Sequence, residues 1–220
     1  MLEQRLLELS KHIVEFSALV EGMLSRSITG LQTRDRSILE TVTGPDEDKA
    51  NQIEIEIDEA VTVTIAQFQP KAKELRTALM ILKMNNDLER MADHAVNIAE
   101  SAFYLIQRPP VKPLLDIPRL AEIASRMLKE SMLSFVNQDV NLAQTVCERD
   151  QIVDELRNQI WRELITFMTG DPNTIERSLH LLRIATNLER IADLATNISE
   201  DVIFMAQGLV IKHHQGQREK

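Results

Sequence analysis

The stretch "LERMADHAVNIAE" from Leu88 to Glu100 returns one hundred residues later as "LERIADLATNISE" from Leu188 to Glu200, with nine of 13 positions identical. Over the wider window, 79–100 against 179–200, eleven of 22 positions agree. A repeat of this kind constrains the fold more than any single motif, because two copies of one unit must bury their apolar faces in equivalent ways. Both copies have helical spacing. Leu88, Ala92, Ala95, Ala99, Ala102 and Ile106 recur at intervals of four and three, and Leu188, Ala192, Ala195, Ser199 and Val202 do the same. Each row is a core seam whose small residues predict close helix approach.

The stretch "QRPPVKPLLDIP" carries four prolines in twelve positions, which no helix tolerates, and separates a first unit at 1–108 from a second at 109–220. The first unit is expected to hold helices at 2–32, 46–68 and 71–107, broken at "GLQTRD", "TGPDED" and Pro70. The second should hold helices at 117–137, 139–168 and 172–208, with a turn at "NQDV". There "TGDPNT" supplies a Gly stop, an Asp cap and a Pro at the first helical position. Gly208 is expected to end the last helix, leaving "IKHHQGQREK", with His213 and His214, as a loose tail. The segment Ile53 to Ile65, "IEIEIDEAVTVTI", alternates apolar and polar residues and is β-branched, a strand signal. Its counterpart in the second unit places Ile152, Leu156, Ile160 and Leu164 four apart, so both are read as helices. The expected fold is all-α: two similar three-helix bundles from an internal duplication. Neither has enough core alone, so they should pack face to face with pseudo-two-fold symmetry.

Composition narrows the function classes. Hydrophobic residues make up 44% of the chain, enough for a real core. The net charge of −9 argues against nucleic acid, which needs a basic face; cations and basic protein surfaces are the natural partners. The single cysteine, Cys147, excludes an internal disulfide, fits a reducing compartment and is read as a packing residue. No run approaches the roughly 20 apolar residues of a membrane span, and the N-terminal "MLEQRLLELSKHIVEF" is charged every few residues, unlike a signal peptide. A cytoplasmic protein that meets membranes only through partners is expected.

The repeated phrase also carries chemistry. On a helix Glu89, Asp93 and Asn97 lie on one face within about 12 Å, and Glu189, Asp193 and Asn197 repeat the arrangement. Carboxylates four apart repel by about 0.2–0.5 kcal/mol, so a positive group should offset them. Arg90 and Arg190, one residue over, fall on another face. Asp150 and Asp154 form a further pair, with Glu47 and Asn51 as a weaker echo in the first unit. An antiparallel helix pair would set Asp150 and Asp154 opposite Glu189 and Asp193. All-oxygen sets of this kind suit Mg²⁺, Ca²⁺ and Mn²⁺, and carboxylate clusters also hold Fe. A solvated acidic face preserved by duplication produces the same pattern, and spacing alone leaves both readings open. A di-iron enzyme would want Glu-x-x-His, whereas His94 directly follows Asp93 and Glu176 stands four before His180. A phosphotransfer histidine would have to be His94 or His180, but their repeat counterparts are Leu194 and Met80, so both read as surface or half-buried side chains. Trp161 is read as core or an interhelical contact.

The two phrases, each closing a three-helix unit, resemble the PhoU family of phosphate-signalling regulators. "IDEAVTVTIAQFQPKAKELR" (Ile57 to Arg76) and "ERDQIVDEL" (Glu148 to Leu156) are similar to other stretches of that family. The resemblance covers almost the whole chain. It implies a six-helix protein, non-enzymatic, that binds metal ions (Fe, Zn, Mg or Mn) through E(D)xxxD motifs. The matching positions are Glu89 and Asp93, Glu189 and Asp193, and Asp150 and Asp154, with Asn97 and Asn197 following. The fourth motif departs from the pattern, as Glu47-x-x-x-Asn51, which implies sites of unequal occupancy. The resemblance further implies a homodimer and a negative regulator of phosphate uptake and of the phosphate-starvation response. Its implied partners are the nucleotide-binding subunit of the phosphate ABC transporter and the sensor histidine kinase. A metal-free helical scaffold for basic partner surfaces is the alternative.

Overall fold

A computed structural model describes residues 1–207, all helical apart from short connections. Gly208, His213 and His214 lie outside the described residues. In chain order the helices are α1 (Leu2–Thr33), α2 (Arg36–Thr41), α3 (Glu47–Phe68), α4 (Ala72–Ile106), α5 (Asp116–Asn137), α6 (Val140–Gly170) and α7 (Ile175–Gln207). The six long helices stand where the apolar spacing places them, and the β-branched segment 53–65 is helical within α3. The reason is its partner surface: Ile57, Val61 and Thr64, at spacings of four and three, are buried, and tertiary burial outweighs the local strand preference.

The aspartate caps work by the anticipated chemistry, whereas Gly170, expected as a stop, is itself the last residue of α6. Gln138 adopts a left-handed φ of 52°, and the Asp139 carboxylate then accepts the Asn141 and Leu142 amides at the start of α6. Asp171 accepts the Asn173 amide, with Pro172 opening a 3₁₀ turn (Pro172–Thr174) that leads into α7. "TGPDED" behaves differently from expectation. It does not break the chain but forms a π-helical turn, Val42–Asp46, continuous with a short unanticipated helix, α2. The wider turn accommodates Pro45, which has no amide hydrogen to give to the ladder. Arg26 of α1 holds this turn through Asp46 at 2.7 Å.

Within the first half α4 packs on α1 and α3, and within the second α7 packs on α5 and α6. Across the halves α4 lies against α7 and α1 against α5. Each of these cross-pairs joins equivalent helices, as a pseudo-two-fold axis requires. Both seams are buried: Leu88, Ala92, Ala95, Ala99 and Ala102 in α4, and Leu188, Ala192, Ala195, Ser199 and Val202 in α7. Small side chains there let the Ser27 hydroxyl of α1 reach the Ala95 carbonyl at 2.9 Å. Polar ties cross the halves from equivalent cations, to acceptors that are not equivalent. Lys83 of α4 reaches Asp201 of α7 at 2.9 Å, and Arg183 of α7 donates to Asn97 of α4 at 2.8 Å.

Two expectations about α6 need correction. Its buried row is Val153, Leu156, Ile160 and Leu164, while Ile152 is 51% exposed. Trp161, one residue off that row, is 40% exposed and is not core.

Candidate functional site

The recurring carboxylates form two patches, one on each half. The first is built on the α3–α4 contact. Glu89 sits one turn beyond Asn85, which is 1% exposed and donates its Nδ2 to the Glu54 carbonyl at 2.8 Å. The Asn85 Oδ1 is buried there without a hydrogen-bond partner. Burial pushes the Glu89 carboxyl above its usual range, and the neighbouring charges of Asp93 and Glu54, with a Glu89–Asp93 hydrogen bond, push it further. Glu47 is raised by burial, then by Asp93, Asp48 and Glu100. Among the described residues no Lys or Arg forms an ion pair with Glu47, Glu54, Glu89 or Asp93. Arg90 turns instead to Asp87, at 3.8 Å.

The second patch is built on α6 and α7, which fold back on each other as expected. Asp193 feels Glu189, Asp150 and Asp154, and together with burial (the largest effect) these raise its carboxyl from 3.8 to about 6. Here cations are present. Arg157 of α6 donates one Nη2 to both Asp154 (3.3 Å) and Glu189 (3.1 Å), bridging the two helices. Arg190 approaches Asp193 at 3.6 Å and Glu189 at 3.8 Å. The expectation that Arg190 points elsewhere is therefore wrong: its long side chain wraps round one turn of the helix.

Two members of these patches escaped the sequence reading, Glu54 and Arg157. They are equivalent, since a shift of 103 carries Glu47, Asn51 and Glu54 of α3 onto Asp150, Asp154 and Arg157 of α6. Asn51 itself stands exposed. The two motif asparagines also part ways. Asn97 accepts from Arg183 at the cross-half tie, whereas Asn197 lines an acidic cavity of about 690 Å³ between α4, α6 and α7. Lys83, Asp87, Asp150, Asp193 and Glu200 line the same cavity.

The histidines serve the contact between halves. His94 pairs through Nδ1 with the Asn187 Oδ1 at 2.8 Å. Because the Asn187 Nδ2 is spent on the Arg183 carbonyl, its oxygen must accept and His94 must donate. His180 stacks on Tyr104 with ring centroids 4.0 Å apart. Burial lowers the pKa of both rings. Neither histidine belongs to a carboxylate patch.

As they stand, no three His, Cys, Asp or Glu side chains among the described residues converge to hold a metal ion. No helix among those residues is long and apolar enough to cross a membrane.

The sequence matches the PhoU domain twice, over residues 13–102 and 117–202. The chain belongs to the PhoU family. The phosphate-specific transport system accessory protein PhoU homolog of Aquifex aeolicus is 38% identical over 206 residues, covering 94% of this chain and 93% of that protein. A second homolog, from Thermotoga maritima, is 35% identical over 96% of this chain and 90% of its own length. The crystal structure of PhoU from Pseudomonas aeruginosa superposes with a TM-score of 0.91 at 30% identity, covering 95% of this chain and all of that one. The fold of two similar three-helix bundles is thus the PhoU fold, and PhoU is an accessory and regulatory family, not an enzyme family.

The first patch is rich in oxygen donors of the kind hard cations take, but as placed they do not converge on one ion position. It offers four carboxylates from α3 and α4, and the orphaned Asn85 Oδ1 is one more oxygen at the same helix contact.

Proposed function

We propose that this chain is a negative regulator of phosphate uptake and of the phosphate-starvation response, acting as the accessory subunit of a phosphate-specific transport system. The observation that supports this most is its match to accessory proteins of such systems along nearly their whole lengths. In this reading the chain is a cytoplasmic homodimer. It links the nucleotide-binding subunit of the phosphate ABC transporter to a sensor histidine kinase and damps both when phosphate is plentiful. Its carboxylate patches hold divalent or trivalent metal ions (Fe, Zn, Mg or Mn), with Glu47, Glu54, Glu89 and Asp93 as ligands on the first half. Glu189, Asp193, Asp150 and Asp154 are their counterparts on the second. That no Lys or Arg among the described residues forms an ion pair with the first set supports this, because something must offset its charge.

The metal-free scaffold remains the second reading, and a specific observation favours it on the second half: Arg157 already lies between Asp154 and Glu189. A bacterial strain lacking its own PhoU, carrying a phosphate-starvation promoter fused to a reporter, tests the regulatory role. Expression of this chain should restore repression in high phosphate. A reporter that stays active beside abundant, folded protein would defeat the proposal.

A further inference from the structure

Helices α5 and α6 leave a groove of about 420 Å³ between them on the second half. Two apolar side chains line it: Leu156, which is buried, and Ile152, which is 51% exposed. Arg119 of α5 and Arg162 of α6 line it as well, with the amides of Asn158 and Gln159. Both arginines are exposed, and neither forms an ion pair or a hydrogen bond with another described residue. The one carboxylate in the lining, Glu155, already accepts from Gln151 at 3.0 Å.

The duplication shows that this face is particular to the second half. A shift of 104 lays the buried residues of α1 from Ile13 to Leu31 on those of α5 from Ile117 to Phe135, position for position. The shift of 103 likewise lays Ala50, Ile57 and Val61 of α3 on Val153, Ile160 and Leu164 of α6. In these registers Arg119 stands against Glu15, Arg162 against Glu59 and Ile152 against Lys49. The lining carries two Arg and one Glu, a net +1, where the first half has three Glu and one Lys, a net −2. The whole chain is acidic, at −9, so a basic groove runs against its general charge. Guanidinium groups offer planar pairs of donors that match a carboxylate, and arginine is enriched where interfaces concentrate their binding energy.

We infer that the α5–α6 groove is a docking surface for an acidic segment of a partner protein, whose carboxylates pair with Arg119 and Arg162 while an apolar side chain covers Ile152. The Asn158 and Gln159 amides can bond the backbone of such a segment. The inference deepens the adaptor reading above and rests on it for the partner's role. A duplicated scaffold that links two different proteins needs two different surfaces, and the exchanged charges supply one that the first half lacks.

The test is a titration of the full chain into a short fluorescein-labelled peptide of repeated Glu-Leu-Leu-Glu units, read by anisotropy, with circular dichroism checking the fold of each variant. Arg119→Glu and Arg162→Glu, which install the first half's residues, should each weaken binding about tenfold. Ile152→Ser should weaken it about fivefold. Lys11→Glu, the same charge change at an exposed site on α1, should stay within about twofold of wild type. Inorganic phosphate should displace the peptide no more than chloride does at equal ionic strength. No binding by wild type, no loss in the two arginine variants, or an equal loss in Lys11→Glu overturns the inference. So does displacement by phosphate alone, which would make the groove a small-anion site. The reporter strain keeps the two readings apart. If wild type restores repression and both arginine variants restore it equally, the docking surface falls and the adaptor role stands. If wild type does not restore it, the adaptor role falls and the titration alone decides the groove.

Discussion

Asp193 offers the sharpest test of how the second patch is balanced. Its carboxyl rises from 3.8 to about 6 because burial and the charges of Glu189 and Asp150 disfavour the anion, and Arg190 only partly compensates. Between those two values the folded chain holds a proton that the unfolded chain has released, so stability falls as pH rises through that window. At 1.36 kcal/mol per pH unit the full effect would be roughly 3 kcal/mol. The side chain is 38% exposed, however, and solvent screening cuts this to about 1 kcal/mol. Replacing Asp193 with Asn keeps the shape and removes the charge. In chelator at pH 7.5 the variant should be about 1 kcal/mol more stable than wild type, a rise in melting temperature of about 2–4 °C. At pH 4 the advantage should shrink to a few tenths of a kcal/mol, because the folded carboxyl is then largely protonated and the unfolded one, near its ordinary value, is only partly ionised. Urea unfolding at the two pH values, with unchanged slope, reads both quantities. A variant that is destabilised at pH 7.5, or whose advantage is the same at both pH values, would refute the electrostatic account.

Three further outcomes follow from single contacts. A Cβ on Gly30 would lie 2.6 Å from the Leu39 Cδ2, in a fully buried side chain. Gly30→Ala should therefore cost about 1–2 kcal/mol in chemical denaturation, overpacking outweighing the helix-propensity gain. Burial, then the charges of Glu200 and Asp150, pushes the Cys147 thiol up to about 12. Its reaction with a thiol reagent at pH 7.5 should run at less than roughly a tenth of the rate of an unhindered cysteine, and reach full rate only in denaturant. Lys112 is 8% exposed and joins Asp116 and Glu163. Burial opposes its charge, but the two hydrogen-bonded carboxylates win and hold its pKa above the usual value. Lys112→Met should cost about 1–2 kcal/mol, less than for a fully enclosed pair because Glu163 is 39% exposed. A melting temperature equal to wild type would show that the ion pairs carry no net stability.

How much of this could be read from the chain depended on how local each feature is. The seams of α4 and α7 repeat within a single helix, and the caps at Asp139 and Asp171 act over two or three residues, so spacing and turn chemistry place them. The π turn at Pro45 is a different matter. Gly-Pro-Asp is an ordinary break signal, and long-range contacts absent from the local sequence hold that segment helical, among them Leu39 against Gly30, the buried Val42 and the Arg26–Asp46 pair. Trp161 shows a similar limit. The buried row shares Leu156, Ile160 and Leu164 with the expected one, and only at its start does Val153 replace Ile152, a shift of one residue or about 100° of rotation that spacing alone does not resolve.

The site divides in the same way. Glu89 with Asp93, and Glu189 with Asp193, announce themselves because each pair lies four apart on one helix and recurs. Glu54 stands among the alternating residues of "IEIEIDEA", where every second side chain is polar, and nothing local distinguishes it from Glu56. Arg157 is separated from Glu189 by 32 residues, and its role exists only once α6 has folded back on α7. A signal was nevertheless present. Continued one turn past Asn51 and Asp154, the 103-residue shift sets Glu54 against Arg157, a charge reversal inside an otherwise acidic pattern. Duplication supplies two similar scaffolds, but packing does not require two identical sites. The buried seams keep small or apolar residues at matching places, whereas a half-exposed position in a patch can exchange a carboxylate for a guanidinium. Such an exchange keeps the α6–α7 contact neutralised, and position 54/157 is where these two halves differ in that way.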